Sequence, residues 1–413
     1  MKTSRLALIL RTGCWLVFLL LAAVPAWAQT RVVAIADSHG AYPEFIAILQ
    51  RAGLIDGNRQ WIAGSTILVQ TGDVIDRGKG SRQCLDLLMD LERQAPNQNG
   101  RVIPLLGNHE VMNLMGDLRY LVAEDYQAFA TEQSEARREE AYRDYKSFLA
   151  SHGGHRHTVY SDDDAGRQKW MADHPPGFFE RHDAFEANGL YGRWFRSHDA
   201  VAQVGDALFL HGGLNPAMHY GSIKEINERV HSEIARFDSL WQSLCQKKII
   251  WRYMRLEEAL RQIQEEWAWI QARGQVEDRV AVQQMQDLSG LQNWLIVTPD
   301  GPLWYRGLAL EPEETLKGPL EKMMGRLKVR YIVAGHTVRP KFDVLPRFDN
   351  HVFLIDTGMN KEVYGGRGSA LEFRDGGVTA YYTDGEPQVL VAPAGGATAP
   401  APSQDQSGGK PKS

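Results

Sequence analysis

Asp73, Asp76 and Arg77 stand within five positions of GDVIDRG (72–78), a stretch that begins and ends on glycine. Alone, Gly and Asp at that density read as a surface turn, for ordinary backbone reasons. Four further polar groups change the reading: ADSHG with Asp37 and His39, GNHE (107–110), HGGLNP opening at His211, and GHT with His336. Asp, Asn and His bring oxygen and imidazole donors, and Asp37, His39, Asp73, Asn108, His211 and His336 offer six of them. An O/N set without thiolate suits a divalent Mn, Fe or Zn ion rather than a Cys-rich structural zinc. Six protein ligands overfill one catalytic ion that must keep an open position, but they serve two ions that share a carboxylate. Two ions about 3.5–4 Å apart clamp the attacking and leaving oxygens of an in-line phosphoryl displacement, and a water between them becomes the nucleophile. The leaving oxygen needs a proton, which a His held by an Asp can give near neutral pH. A phosphoryl group spreading charge over three oxygens needs a planar, multi-donor partner, which is Arg rather than Lys.

Such residues work together only if a scaffold brings them to one place. Each group follows an apolar run: RVVAIA, STILVQT, RVIPLL, DALFLH and VRYIVAG read as strands, with PEFIAILQRAGL and SRQCLDLLMDLERQ as helices between the first three. DAVAQV and HVFLID read as further strands, and SALEFRDGGVTAYYTD as a hairpin around DGG. The alternation predicts an α/β fold, in which the carboxyl ends of strands form a common crevice for ligands. Two mainly helical insertions, at about 117–195 and 223–297, interrupt it. The second carries Trp241, Trp251, Trp267, Trp269 and Trp294, read as packing in two helices that fold over one end of the sheet.

The series DSHG, GDVIDRG, GNHE, HGG and GH resembles the phosphoprotein phosphatase family of calcineurin-like metallophosphoesterases. YGRWFRSHDAVAQVGDALFLHGGLNP, GPLWYRG and IDTGMNKEVYGG resemble its bacterial Shewanella-like branch, and the likeness spans roughly 31–120, 190–216 and 300–385. It implies a metallophosphoesterase-type β-sandwich flanked by helices and two divalent ions, Mn first, with Fe or Zn as alternatives. By resemblance, Asp37, His39 and Asp73 would hold one ion, and Asp73 (bridging), Asn108, His211 and His336 the other. His109 would be the general acid and Asp76 the carboxylate that orients it. Arg77, Arg306 and Asn108 would face the substrate phosphate. Leu106 stands where eukaryotic members usually carry Arg, and DTGMNKEVYGG occupies the region of their SAPNYC loop. Both departures count against eukaryote-style regulatory subunits and Ser/Thr preference, and the expected class is a serine/threonine/tyrosine-type phosphatase.

The remaining sequence sets bounds. Lys2, Arg5 and Arg11, an apolar run from Trp15 to Val24 and the AWA of 26–28 read as a secretory signal over 1–28, which predicts a periplasmic or secreted protein without stable membrane insertion after cleavage. A catalytic domain is expected over 29–390, and an Ala/Pro/Gly/Ser-rich disordered tail over 391–413. Hydrophobic residues at 43% and charged residues at 23% are ordinary globular values, and a formal net charge of −5 gives no basis for expecting nucleic acid. Cys84 and Cys245 read equally as a disulfide or as two buried thiols. His152, His155 and His157 read as a solvated loop, Asp162 to Asp164 as a turn, and Glu110 as an anchor of a helix start. The expected activity is hydrolysis of a phosphoprotein, phosphopeptide or small phosphoester, with no protein partner specified. A nucleotide or dinucleoside-polyphosphate hydrolase and a non-catalytic metal-binding protein are the alternatives.

Overall fold

Along the first strand Val32 and Ala34 face one way and Val33 and Ile35 the other, and all four are buried. A strand covered on both faces reads as a continuous apolar run, as it does here. In the computed structural model, residues 30–151, 158, 160–274 and 278–393 are described. The expected signal, His152, His155 and His157, and the tail from 394 lie outside them. The strands are β1 (Val32–Ile35), β2 (Ile67–Gln70), β3 (Arg101–Pro104), β4 (Val201–Val204), β5 (Ala207–Leu210), β6 (Tyr331–Ala334), β7 (Leu345–Arg347), β8 (Val352–Leu354), β9 (Ser369–Arg374), β10 (Gly377–Tyr382) and β11 (Gln388–Val391). They form a six-stranded sheet in the order β11-β10-β9-β1-β2-β3 and a five-stranded sheet in the order β4-β5-β6-β8-β7. Within the first, β1, β2 and β3 are parallel, and within the second β5, β6 and β8 are parallel.

Side-chain alternation divides the interior into layers. Val32, Ala34, Val69, Phe209, Val333, Phe353 and Leu371 pack together between the sheets. Val33, Ile35 and Leu68 join the outer core with Phe45 and Ile48 of helix α1 (Tyr42–Arg51) and Leu85 and Leu88 of α2 (Ser81–Gln94). Leu208, Leu210 and Ile332 join the same core with Val230, Ile234 and Phe237 of the helix Ile223–Gln246. The result is a mixed α/β sandwich with helices outside both sheets, as the resemblance implies. Strands β7 and β11, not expected from the sequence, are half-buried or exposed edge strands without a buried alternation to mark them.

Among its described residues the second helical stretch holds three α-helices, Ile223–Gln246, Leu256–Arg273 and Arg279–Ser289, rather than two. Gly274 in the left-handed conformation ends the second of them and lets the chain turn back. Trp251 and Trp294 are buried, as the packing reading expects. Cys84 and Cys245 are both free, and burial pushes both thiols up. No helix among the described residues is long and apolar enough to cross a membrane.

The two helical stretches meet through aromatic rings. Trp170 is fully buried and stacks on His174 with centroids 4.1 Å apart, and Trp251 from the second stretch lies 5.2 Å from Tyr145 of the first. Burial holds the His174 imidazole down to about 4, with the nearby Arg255 and Arg138 adding to the depression. The unfolded chain therefore takes up this proton first, so stability is intact above pH 6.5 and falls as pH drops from 6.5 to 4, by about 3 kcal/mol at the lower limit. Thermal melts followed by tryptophan fluorescence should show that fall, with a shallower slope in His174→Leu. Equal slopes for the two proteins would contradict it.

Candidate metal centre and active site

All six parallel strands end at one edge of the sandwich, and each delivers polar residues there. Asp37 and His39 follow β1; Asp73, Asp76 and Arg77 follow β2; Asn108 and His109 follow β3; His211 follows β5 and His336 follows β6. The sixth, β8, delivers Asp356, which is 3% exposed. Asp356 lies outside the set expected from the sequence, although it carries the same signal, an Asp directly after an apolar strand.

The backbone at this edge is unusual. His39, Asp73, Asp76, Arg77 and His336 have φ of 42°, 54°, 71°, 67° and 66°, all in the left-handed region that non-glycine residues seldom enter. Such conformations persist only where the surroundings over-determine them, and they gather at functional sites. Gly72, at φ 94°, lets the β2 and β3 loops touch: a Cβ there would lie 2.4 Å from the Gly107 nitrogen. Glu110 ties the same loops together by accepting the N–H groups of Asp73 (2.7 Å), Val74 (2.8 Å) and Gly107 (2.8 Å). It anchors the start of helix α3 (Asn108–Leu114), the role read for it in the sequence.

At the centre, acceptors face acceptors. The His211 Nδ1–H donates to the Thr71 carbonyl at 3.1 Å, which turns Nε2 inward. Around that Nε2 lie Asn108 Oδ1 at 2.8 Å, His336 Nδ1 at 3.0 Å and Asp73 Oδ2 at 3.3 Å. The Asn108 amide nitrogen points away, to the Met112 sulfur at 3.7 Å. Four lone-pair-bearing atoms at such spacing require a cation among them, either a proton or a metal ion. The His336 Nε2 is buried with no hydrogen-bond partner. Burial, and the neighbouring His211 and Arg306, keep the His336 imidazole well below its ordinary range, so it stands neutral with a lone pair to give.

On the other side of Asp73, the His39 Nδ1–H donates to the Ile75 carbonyl at 3.0 Å and its Nε2 faces Asp73 Oδ2 at 3.5 Å. Burial holds this imidazole down to about 4, so it too is neutral. His39, Asp73 and His109 lie within ligand distance of one another, as do Asp73, His211 and His336, so Asp73 is common to both trios. Burial works to raise the Asp73 carboxyl, but His211, His109 and His39 hold it well below the carboxylate range. Asp37 belongs to neither trio, although its Oδ1 lies 3.9 Å from His211 Nδ1. Its carboxylate accepts the His336 backbone N–H at 3.1 Å and 3.2 Å. Burial, with Asp356 and Asp73 close by, pushes it well above the usual range. Three buried carboxylates against neutral imidazoles form a donor set whose repulsion divalent cations relieve.

Beside this centre lies a proton-donor pair. His109 Nδ1–H donates to Asp76 Oδ2 at 2.7 Å, and its backbone N–H donates to Asp73 Oδ1 at 3.0 Å. Against burial, Asp73 and Asp76 raise the imidazole above its ordinary value, which favours its protonated form. Asn113, one helical turn on, donates its amide to both Asp76 oxygens at 3.0 Å. Sequence reading leaves Asn113 out, although the spacing of four from His109 places both on one face of α3.

Two guanidinium groups complete the site. Arg77 lies 4.3 Å over the Tyr120 ring and 5.7 Å from the Tyr364 ring, and its buried Nε has no hydrogen-bond partner. Arg306 is exposed and donates to the His336 carbonyl at 2.7 Å and to Thr337 Oγ1 at 3.0 Å, which fixes it at the β6 end. The sequence-expected residues therefore gather at one edge of the sandwich, Asp37 among them.

A family model described as calcineurin-like phosphoesterase matches residues 30–340. Shewanella-like protein phosphatase 2 of Arabidopsis thaliana is 34% identical over 219 residues, 50% of this chain and 52% of that protein, so the match spans about half the plant protein. Shewanella-like protein phosphatase 1 of Plasmodium berghei is 26% identical over 333 residues, 80% of this chain and 67% of that protein. The crystal structure of a cold-active protein-tyrosine phosphatase from a Shewanella species shares the fold, with a TM-score of 0.55 at 22% identity, over 88% of this chain and 80% of that one.

Proposed function

The chain belongs to the calcineurin-like phosphoesterase family, and from that premise we propose that it is an exported phosphomonoesterase using two divalent metal ions and acting on phosphoprotein or phosphopeptide. The observation that carries the reading is the inward-facing acceptor cluster around His211 Nε2 beside the Asp76–His109 proton-donor pair. Asp37, His39 and Asp73 would hold one ion, and Asp73, Asn108, His211 and His336 the other, with Mn first and Fe or Zn as alternatives. Such ions, when bound, supply Lewis acidity toward phosphoryl oxygens and acidify a water. The residues of the chain do the rest. The Arg77 guanidinium, with a donor still unused, receives the phosphoryl oxygens, helped by Arg306 at the β6 end; Asn108, whose amide nitrogen turns to the Met112 sulfur, offers the phosphate no donor and is left to the metal. His109 gives the proton on its Nε2 to the leaving oxygen while Asp76 holds Nδ1. Export rests on the residues of 1–28, and a periplasmic form beginning at Gln29 by N-terminal sequencing would support it.

Tyr120 and Tyr364, near Arg77 and beside His109 and His39 respectively, favour an aromatic phosphoester, because a phenyl ring leaving the phosphate would meet aromatic neighbours there. Tyr120→Ala should lower kcat/KM for a phosphotyrosine peptide about 5-fold to 10-fold, with a phosphoserine peptide changing less than about 2-fold. Equal losses on both would sink the aromatic reading. The same two rings could instead hold a nucleobase. Ranking p-nitrophenyl phosphate, phosphotyrosine peptide and diadenosine tetraphosphate by kcat/KM separates the readings, and preference for the last would favour a polyphosphate hydrolase.

A further inference from the structure

Arg181, on the helix Phe178–Phe185 of the first helical stretch, is 3% exposed, and its guanidinium donates to the amide oxygen Oδ1 of Asn113 rather than to a carboxylate. It lies 4.2 Å over the Phe185 ring, on the wall of a cavity of about 390 Å³ that both helical stretches line. The charge of this guanidinium is shared with the buried carboxyl of Asp125, yet its hydrogen bond goes to a neutral amide, and that choice calls for a reason. The partner supplies one. Asn113 turns its NH2 to both oxygens of Asp76 and to the His109 carbonyl at 2.9 Å, and Asp76 holds the His109 imidazole.

We propose that Arg181 is a positioning residue for leaving-group protonation, acting through Asn113 and Asp76 on His109. The inference rests on the phosphatase reading above. An amide can present its oxygen or its nitrogen to a given side, and the two ends have opposite hydrogen-bonding roles. With Arg181 on Oδ1, every contact of Asn113 is a donor meeting an acceptor. Turned over, the amide oxygen would face two carboxylate oxygens and a carbonyl, and its NH2 would face a guanidinium. Arg181 therefore locks the amide, and the amide NH2, shared between the two Asp76 oxygens and the His109 carbonyl, supports Asp76 in addition to His109. The first helical stretch gains a role by this route: it completes the support of the acid from outside the sandwich.

The test is a leaving-group comparison, because a supporter of the acid matters only where the leaving oxygen needs a proton. Phenyl phosphate leaves as a basic phenolate; 2,4-dinitrophenyl phosphate leaves without assistance. Arg181→Met should lower kcat on phenyl phosphate about 10-fold, with KM within about 2-fold and 2,4-dinitrophenyl phosphate within about 2-fold of wild type. Arg181→Lys, which keeps the buried charge, should recover part of the loss, and it carries the test alone if the Met variant does not fold. In an Asn113→Ser background, Arg181→Lys should make no further difference. Equal losses on both substrates, or no loss on phenyl phosphate in a folded variant, would overturn the proposal. A wild-type protein inert on both substrates would instead overturn the phosphatase reading beneath it.

Discussion

Asp73→Asn should fold and yet lose phosphatase activity about 1000-fold or more, together with at least one bound ion per chain. Asp73 Oδ2 faces three imidazole nitrogens: His211 at 3.3 Å, His39 at 3.5 Å and His109 at 3.8 Å. It is the one carboxylate common to both ligand trios. Asn keeps the shape and can still accept the His109 backbone N–H through its oxygen. The other arm becomes an NH2, which has no lone pair to give, and the negative charge is gone. The site then has imidazoles on both sides and nothing to bridge two cations. Metal analysis by mass spectrometry, circular dichroism and kcat/KM on one preparation give the answer. Activity within about 10-fold of wild type, with metal content unchanged, would mean that Asp73 does not bridge.

The second large effect falls on His109. His109→Ala should keep its metal content and lose about 100-fold to 10,000-fold in kcat, the range a positioned general acid supplies. Asp73 close by and Asp76 at 2.7 Å raise the imidazole above its ordinary value, which favours the form with a proton to give on Nε2. The loss should grow with the basicity of the leaving group, being largest for phenyl phosphate and smallest for 2,4-dinitrophenyl phosphate. Unchanged turnover would remove His109 from the chemistry. A uniform loss with fewer metals bound would make it a ligand, as its place in a trio with His39 and Asp73 allows.

Much of the site is legible in the sequence because its residues sit where local pattern and chemistry coincide. Five polar groups, each following an apolar run, lie at the ends of β1, β2, β3, β5 and β6 in the structure. What escapes the sequence depends on tertiary contact. Arg181 occupies a short helix among charged residues, where an arginine is ordinarily solvated, and only packing buries it. The bond of Asp37 to the His336 backbone follows from how the end of β6 meets the end of β1 across the sandwich. Asp356 opens a stretch, DTGMNKEVYGG, read as a whole for its likeness, so its own position after a strand goes unused. Edge strands β7 and β11 lack the two-sided burial that writes an apolar run into β1 and β5.

Metal removal and return tests the central claim most directly. The chain from Gln29 onward would be stripped by chelation, and Mn, Zn, Fe or Mg added back singly while bound ions and hydrolysis of phosphotyrosine and phosphoserine peptides are measured together. The expected result is background activity in the stripped protein, with turnover returning as about two ions per chain rebind, Mn first. Full activity in metal-free protein, or about two ions bound per chain with no hydrolysis of any phosphoester, would contradict it.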